Sequence, residues 1–171
     1  MIIPVTLFLI IFILYLAFRR MADVTLTLIS LPLALSGGLW LLYLLDFHLS
    51  IAVAVGFIAL SGIAVELAVV MILFLNTALQ AVQNDKTSLN HSDIRGAITE
   101  GALMRLRPLR MTVITIFAGL LPIMIGTGTG SEVMQRIAAP MVGGMASATL
   151  LTLVVIPAAF YLWHRRGLNT M

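Results

Sequence analysis

The sequence predicts an all-α fold, a polytopic bundle of membrane-spanning helices. Of its 171 residues, 61% are hydrophobic and only 10% are charged, and five long runs carry one charge or none. Soluble globular domains are roughly 45–50% apolar and about 25% charged, so we expect lipid to solvate most of this chain. The lack of cysteine excludes a disulfide scaffold, a thiolate zinc site and a cysteine nucleophile.

Five charge-poor runs predict five spans. A helix needs about 20 mainly apolar residues to cross about 30 Å of hydrocarbon. The first run ends at Arg19, the third contains only Glu66, and the last ends at Arg165. The predicted spans are 2–18, 24–45, 50–75, 108–126 and 137–163.

The segment 76–107 is predicted to be a cytoplasmic loop, because its centre is rich in Asn, Ser and Asp. A short helix over about 93–104 fits two interpretations. It is either an amphipathic helix lying along the membrane surface or part of an ordinary solvated connector. Pro108 is expected in the first turn of the fourth helix, where proline removes no helical hydrogen bond.

The basic residues predict the orientation of the bundle. Nine of the ten Lys and Arg residues fall in connections on one side, which should be cytoplasmic, and only Arg136 falls on the other. The C-terminus is therefore predicted inside and Met1 outside. Because the first span lacks a basic N-terminal region, we expect residues 1–171 to be the C-terminal part of a longer transmembrane domain.

Glu66 is the main candidate for chemistry. A carboxylate at the centre of a membrane helix costs at least about 2.5–3.5 kcal/mol, and such residues usually face a bundle interior or a water cavity. Ala52, Gly56, Ala59 and Gly62 precede it at helical spacing and predict a slim face suited to close packing. A carboxyl group balanced between burial and a nearby cation can bind and release a proton. The alternatives are a static interhelical hydrogen bond and direct contact with a transported cation.

Two regions supply candidate partners. Arg105 and Arg107 lie at the cytoplasmic entrance of the fourth span, and Thr112 lies just inside it. They are either partners of Glu66 or ordinary topology anchors. At the outer end, the string GTGTG predicts a flexible turn. Met134 follows this turn, and its soft thioether suits Cu(I) and, by extension, Ag(I), although methionine usually fills space in a core.

Three strings carry a family resemblance. GTGTGSEVMQRIAAPMVGGM, RLRPLRMT and GFIALSGIAVELAVVM resemble the C-terminal membrane region of resistance-nodulation-division exporters. Within that superfamily they are most similar to the inner-membrane subunit of the copper/silver pumps, in the heavy-metal branch. The resemblance covers essentially the whole chain.

The resemblance implies a twelve-helix homotrimer of the bacterial inner membrane, with this chain supplying the last five helices. Such pumps export Cu(I) or Ag(I) by proton antiport, together with a periplasmic adaptor and an outer-membrane channel that dock on regions outside this sequence. Glu66 matches an acidic proton-relay position, and Arg105 and Thr112 match polar positions linked to that relay. Met134 matches a methionine on the path of the metal ion. Metal ion and proton would be substrate and coupling ion; no permanent cofactor and no nucleic-acid partner are expected, and lipids surround the protein.

One departure concerns the relay. The copper/silver pumps have a lysine where this chain has Leu109, and Arg110 follows it. Arg110 projects about 100° away on a helix, so whether it replaces the missing charge stays open. The rival functions are a drug- or lipid-exporting relative, an accessory subunit of protein export, and a truncated scaffold that does not transport. No nucleophile–base pair is visible in the sequence, so we do not expect an enzyme.

Overall fold

A computed structural model describes residues 2–85 and 91–168 of the chain, and every regular element within them is helical. The elements are α1 (Ile2–Phe18), α2 (Met21–Leu44), α3 (Ile51–Asp85), α4 (His91–Ile125) and α5 (Ser131–Leu150). A five-residue π-helix (Leu151–Val155) then leads directly into α6 (Ile156–Leu168). The predicted all-α fold is confirmed.

Four helical stretches in the described residues are long and apolar enough to cross a membrane. They cover Met21–Leu44, Ile51–Asn84, Ile94–Ile125 and Ser131–Trp163, and a shorter apolar helix covers Pro4–Phe18. These five stretches correspond to the five predicted spans. Where the membrane begins and ends along each helix stays a prediction.

The segment predicted as a loop, 76–107, is helical wherever the structure describes it. α3 continues to Asp85 and α4 starts at His91, while residues 86–90 lie outside the described part. The reason is a continued apolar seam: Leu75 and Leu79 on α3 pack in one cluster with Ile94 and Ile98 on α4. The predicted short helix at 93–104 is therefore the first part of α4, packed against α3.

Pro108 also differs from its prediction. It lies inside α4 rather than in a first turn, because the helix begins seventeen residues earlier, at His91. The π-helix lies just before Pro157, whose nitrogen has no hydrogen to donate. At its end the backbone N–H of Ile156 donates a hydrogen bond to the carbonyl of Leu151, five residues back.

Close contacts at glycines join three helices of the bundle. A Cβ atom placed on Gly143 of α5 would lie 2.5 Å from the carbonyl oxygen of Gly37 and 2.6 Å from Cβ of Leu41, both on α2. Gly56 of α3 meets the backbone carbonyl of Ile137 in the same way. Small residues let helix backbones approach closely in a membrane, so these glycines hold α2, α3 and α5 together.

Candidate functional site in the helix bundle

Glu66 lies on α3, the most apolar of the four long helices, and its side chain is exposed in this chain. The face of small residues predicted around Glu66 is buried in one part and exposed in another. Gly56 is buried against α5, whereas Ala59 and Gly62 are exposed, and a Cβ atom on Gly62 would meet nothing within 4 Å. Along the described helices, therefore, the surface beside Glu66 is open rather than filled by a neighbouring helix.

Arg105 packs against α3 through an aromatic ring. Its guanidinium carbon lies 5.9 Å from the centroid of the Phe74 ring, a cation–π distance. Its Nε atom is buried and has no hydrogen-bond partner among the described residues. The long helix pair formed by α3 and α4 creates this contact, because Arg105 and Phe74 face each other across the two helices.

Thr112 bonds within its own helix. Its hydroxyl donates a hydrogen bond to the carbonyl oxygen of Pro108, 3.2 Å away. In the part of the chain that the structure describes, Glu66, Arg105 and Thr112 thus make no hydrogen bond or ion pair with one another. The structure places all three on the α3–α4 pair without joining them.

Leu109 stands at the position where the family resemblance predicts a lysine. It is fully buried and belongs to the same apolar cluster as Ala64 and Leu67 of α3, which lie within two residues of Glu66 in the sequence. Arg110 is exposed. Leu109 therefore packs on the buried side of α3, whereas Glu66 and Arg110 are exposed.

The turn between α4 and α5 forms an open cavity of about 530 Å³, and Met134 lies on its wall. Gly128 and Gly130 adopt φ angles of 152° and 87°, which favour glycine. Gln135 stabilises the turn by donating a hydrogen bond to the Gly126 carbonyl oxygen, at 2.8 Å. Met134 is 48% exposed, so a thioether is accessible to a soft cation here.

Sequence reasoning missed one polar pair, Asp23 on α2 and Asn76 on α3. Asp23 is only 3% exposed, and the Asn76 amide nitrogen donates a hydrogen bond to its Oδ2 atom at 2.9 Å. Asp23 appears in the sequence only as the boundary of a charge-free run. Asn76 lies ten residues after Glu66 on α3. A polar amide within this apolar helix was the signal that pointed to a buried polar pair.

Comparison with known proteins identifies the family. Residues 1–164 match the model of the AcrB/AcrD/AcrF family. The chain is 52% identical over 167 residues to the cation efflux system protein CusA of Escherichia coli K12. It is also 52% identical to the putative cation efflux system protein SilA of Salmonella typhimurium. The cobalt-zinc-cadmium resistance protein CzcA of Cupriavidus metallidurans is 38% identical over 165 residues.

The match covers 96% of this chain but only 16% of CusA and SilA, so the chain spans about one sixth of those relatives. A crystal structure of a heavy-metal efflux pump superposes with a TM-score of 0.78 at 37% identity, covering 94% of this chain and 15% of the pump. The fold, the sequence and the long match agree, and the chain belongs to the AcrB/AcrD/AcrF family, within which it is related to the heavy-metal efflux pumps.

Proposed function

We propose that this chain is part of a proton-driven exporter of Cu(I) and Ag(I), with Glu66 as a proton-binding group. The observation that carries the proposal is the exposed carboxyl group on the most apolar long helix. Such a group is costly in contact with lipid and is usually covered by protein or water. Ala59 and Gly62 leave a slim surface beside it, on which further helices of a complete exporter would pack.

Proton binding at Glu66 would then change how that surface packs. A neutral carboxyl group fits an apolar interface, whereas a carboxylate demands a cation, a donor or water. Arg105 and Thr112 are the proposed relay partners on α4. Because neither forms a hydrogen bond or ion pair with Glu66 in the described residues, the proposed relay includes groups from the rest of the transporter.

The choice of metal ion rests on Met134 and on the pattern of identities. Soft thioether ligands favour Cu(I) over harder divalent ions. The chain is also closer to CusA and SilA, at 52% identity, than to the cobalt-zinc-cadmium protein, at 38%. Met134 would bind the ion transiently at the cavity beside the α4–α5 turn, with a second soft ligand from a part of the complete pump that this chain does not span. The same completed pump would be the trimer that contacts an adaptor and an outer-membrane channel.

A chimera tests the proposal. In it, this chain replaces the matching region of CusA from Escherichia coli K12, and the chimera is expressed in a copper- and silver-sensitive strain. Restored resistance is expected for the parent chimera. Glu66→Gln should abolish it, while Glu100→Gln, which removes an exposed carboxylate on α4, should leave it intact.

The rival functions give different results in the same strain. Metal resistance that survives Glu66→Gln would favour a drug- or lipid-exporting relative. If Glu66→Gln lowered protein abundance while transport per molecule stayed constant, Glu66 would be structural and the chain a scaffold. A chimera that accumulates normally but confers no resistance would contradict the proposed substrate.

A further inference from the structure

We infer that Gln135 is a positioning residue for Met134, because it holds the α4–α5 turn in the arrangement that leaves the cavity beside the thioether open. Its side-chain amide donates a hydrogen bond to the Gly126 carbonyl oxygen at 2.8 Å and so links two residues nine positions apart. Gln135 is partly buried and does not line the cavity, so it acts through the turn and not by binding the ion. The inference rests on the proposed role of Met134 as a ligand of the transported ion.

The turn has little packing to hold it in place. Gly128 and Gly130 adopt positive φ angles, and a Cβ atom on either glycine would meet nothing within 4 Å. Glycine has more backbone freedom than any other residue, so a segment with two unpacked glycines rearranges readily. The shape of this turn therefore depends on its hydrogen bonds.

Among the hydrogen bonds that the structure describes at this turn, that of Gln135 is the one that reaches from α5 back to the end of α4. The backbone N–H and the hydroxyl of Ser131 both donate to the Gly128 carbonyl oxygen, at 3.2 and 2.8 Å, and so close only the start of α5. Gly126 directly follows α4, so no further helical turn offers its carbonyl a donor. The Gln135 amide supplies that donor and keeps the turn against α5.

The start of α5 is fixed by other contacts. Arg136 places its guanidinium carbon 5.8 Å from the centroid of the Phe47 ring, in the connection between α2 and α3. One residue later, the backbone carbonyl of Ile137 lies where a Cβ atom on Gly56 of α3 would clash with it. Loss of the hydrogen bond to the turn should therefore release the turn while Met134 keeps its place on α5.

The walls of the cavity come from the segments that this hydrogen bond joins. Ile123 belongs to α4, residues 126–130 form the turn, and Met134 belongs to α5. When the turn is free to move, only a fraction of the molecules keeps the cavity open to the ion, and the apparent affinity for the ion falls by that fraction. A saturating ion concentration recovers the open arrangement, so the maximal transport rate should change little.

Hydrogen–deuterium exchange of the full 171-residue chain in detergent tests the hold on the turn without any metal. Gln135→Leu keeps most of the side-chain volume, has no hydrogen to donate and adds no charge. We expect backbone exchange in residues 126–131 to be about threefold faster or more in this variant, and exchange in residues 138–150 of α5 to be unchanged. Val133→Ala, which removes a 54% exposed side chain that does not line the cavity, is the control and should exchange like the parent.

Ag(I) transport by the CusA chimera in liposomes tests the effect on Met134. Gln135→Leu should raise the KM for Ag(I) about threefold or more and change kcat less than about twofold. A loss of folded protein would instead lower kcat. Val133→Ala should change neither constant. Because Gln135 acts through Met134, Gln135→Leu should have no further effect on KM in a Met134→Ala background.

Three results would overturn the inference. These are equal exchange at the turn in Gln135→Leu and the parent, a loss of kcat with unchanged KM, and equal rises in KM with and without Met134. If Gln135→Leu fails to fold, Gln135→Ala replaces it with the same expectations. A parent chimera that transports no Ag(I) would contradict the proposed function and, with it, the role of the turn in ion binding, whereas faster exchange in Gln135→Leu would still show that Gln135 holds the turn.

Discussion

The amide of Asn76 donates a 2.9 Å hydrogen bond to the buried carboxylate of Asp23, joining α3 to α2 at the end of the bundle where the α1–α2 turn lies. The two residues are 53 positions apart. Asp23 also lies in the first turn of α2, where a negative charge is favoured by the helix dipole. This pair fixes α2 relative to the helix that carries Glu66.

Removal of the Asn76 amide should destabilise the bundle. Asn76→Ala leaves a buried acceptor without its donor, a loss of about 1–3 kcal/mol in the free energy of unfolding. Reversible unfolding in mixed SDS micelles, followed by circular dichroism, measures it. Gln83→Ala, which removes an exposed amide on the same helix, is the control. Purely additive losses in a cycle with Asp23→Ala would contradict direct coupling of the pair.

Gly143 should tolerate no side chain. Alanine there would place its Cβ 2.5 Å from the Gly37 carbonyl oxygen, and overpacking of this kind typically costs about 1–3 kcal/mol. The same unfolding assay measures the loss. Gly119→Ala is the matched control, since a Cβ atom there meets nothing within 4 Å and alanine is the better helix former. Equal stability of the two variants would show that the α2–α5 contact is looser than described.

A lysine at Leu109 should become coupled to Glu66. Leu109 is fully buried beside Leu67, and a lysine in a membrane helix centre costs about 2.5–3.5 kcal/mol on insertion scales. Glu66 is adjacent to Leu67 in the sequence, and a carboxylate within reach of the lysine would offset part of that cost. Leu109→Lys should therefore destabilise the Glu66→Gln chain more than the parent chain. An identical loss in both backgrounds would place the two side chains out of reach of each other.

Met134 should contribute to resistance against soft metal ions. In the CusA chimera, Met134→Ala is expected to lower Ag(I) and Cu(I) resistance several-fold, because it removes an accessible thioether from the cavity at the α4–α5 turn. Met104→Ala removes a methionine on α4 that is 57% exposed, slightly more than Met134, and should have no effect. Growth inhibition by each ion is the measurement. Equal sensitivity of the two variants would remove Met134 from the ion path.

The fold could be predicted because charge-free runs report directly on helices in lipid. The errors arose where that signal ends. Residues 76–85 and 91–107 are polar enough to suggest a loop, but Leu79 and Ile98 continue the buried seam between α3 and α4. The spacing of apolar residues beyond the predicted membrane boundary indicated this seam, whereas the polar composition of the segment did not.

The candidate site was less predictable. Glu66 could be singled out as a candidate from its position alone, but its exposure depends on how α3 packs in three dimensions. The cation–π contact of Arg105 with Phe74 depends on the register of two long helices. The burial of Asp23 depends on packing around the first turn of α2. Neither relationship can be predicted from the spacing of residues along the chain.

Metal-driven proton movement tests the central claim most directly. The purified CusA chimera is reconstituted in liposomes that contain a pH-sensitive dye, and proton flux is followed as Cu(I) or Ag(I) is transported. The account predicts flux in the parent chimera, at least a tenfold loss with Glu66→Gln, and no change with Glu100→Gln. Full proton flux in the folded Glu66→Gln chimera would contradict it.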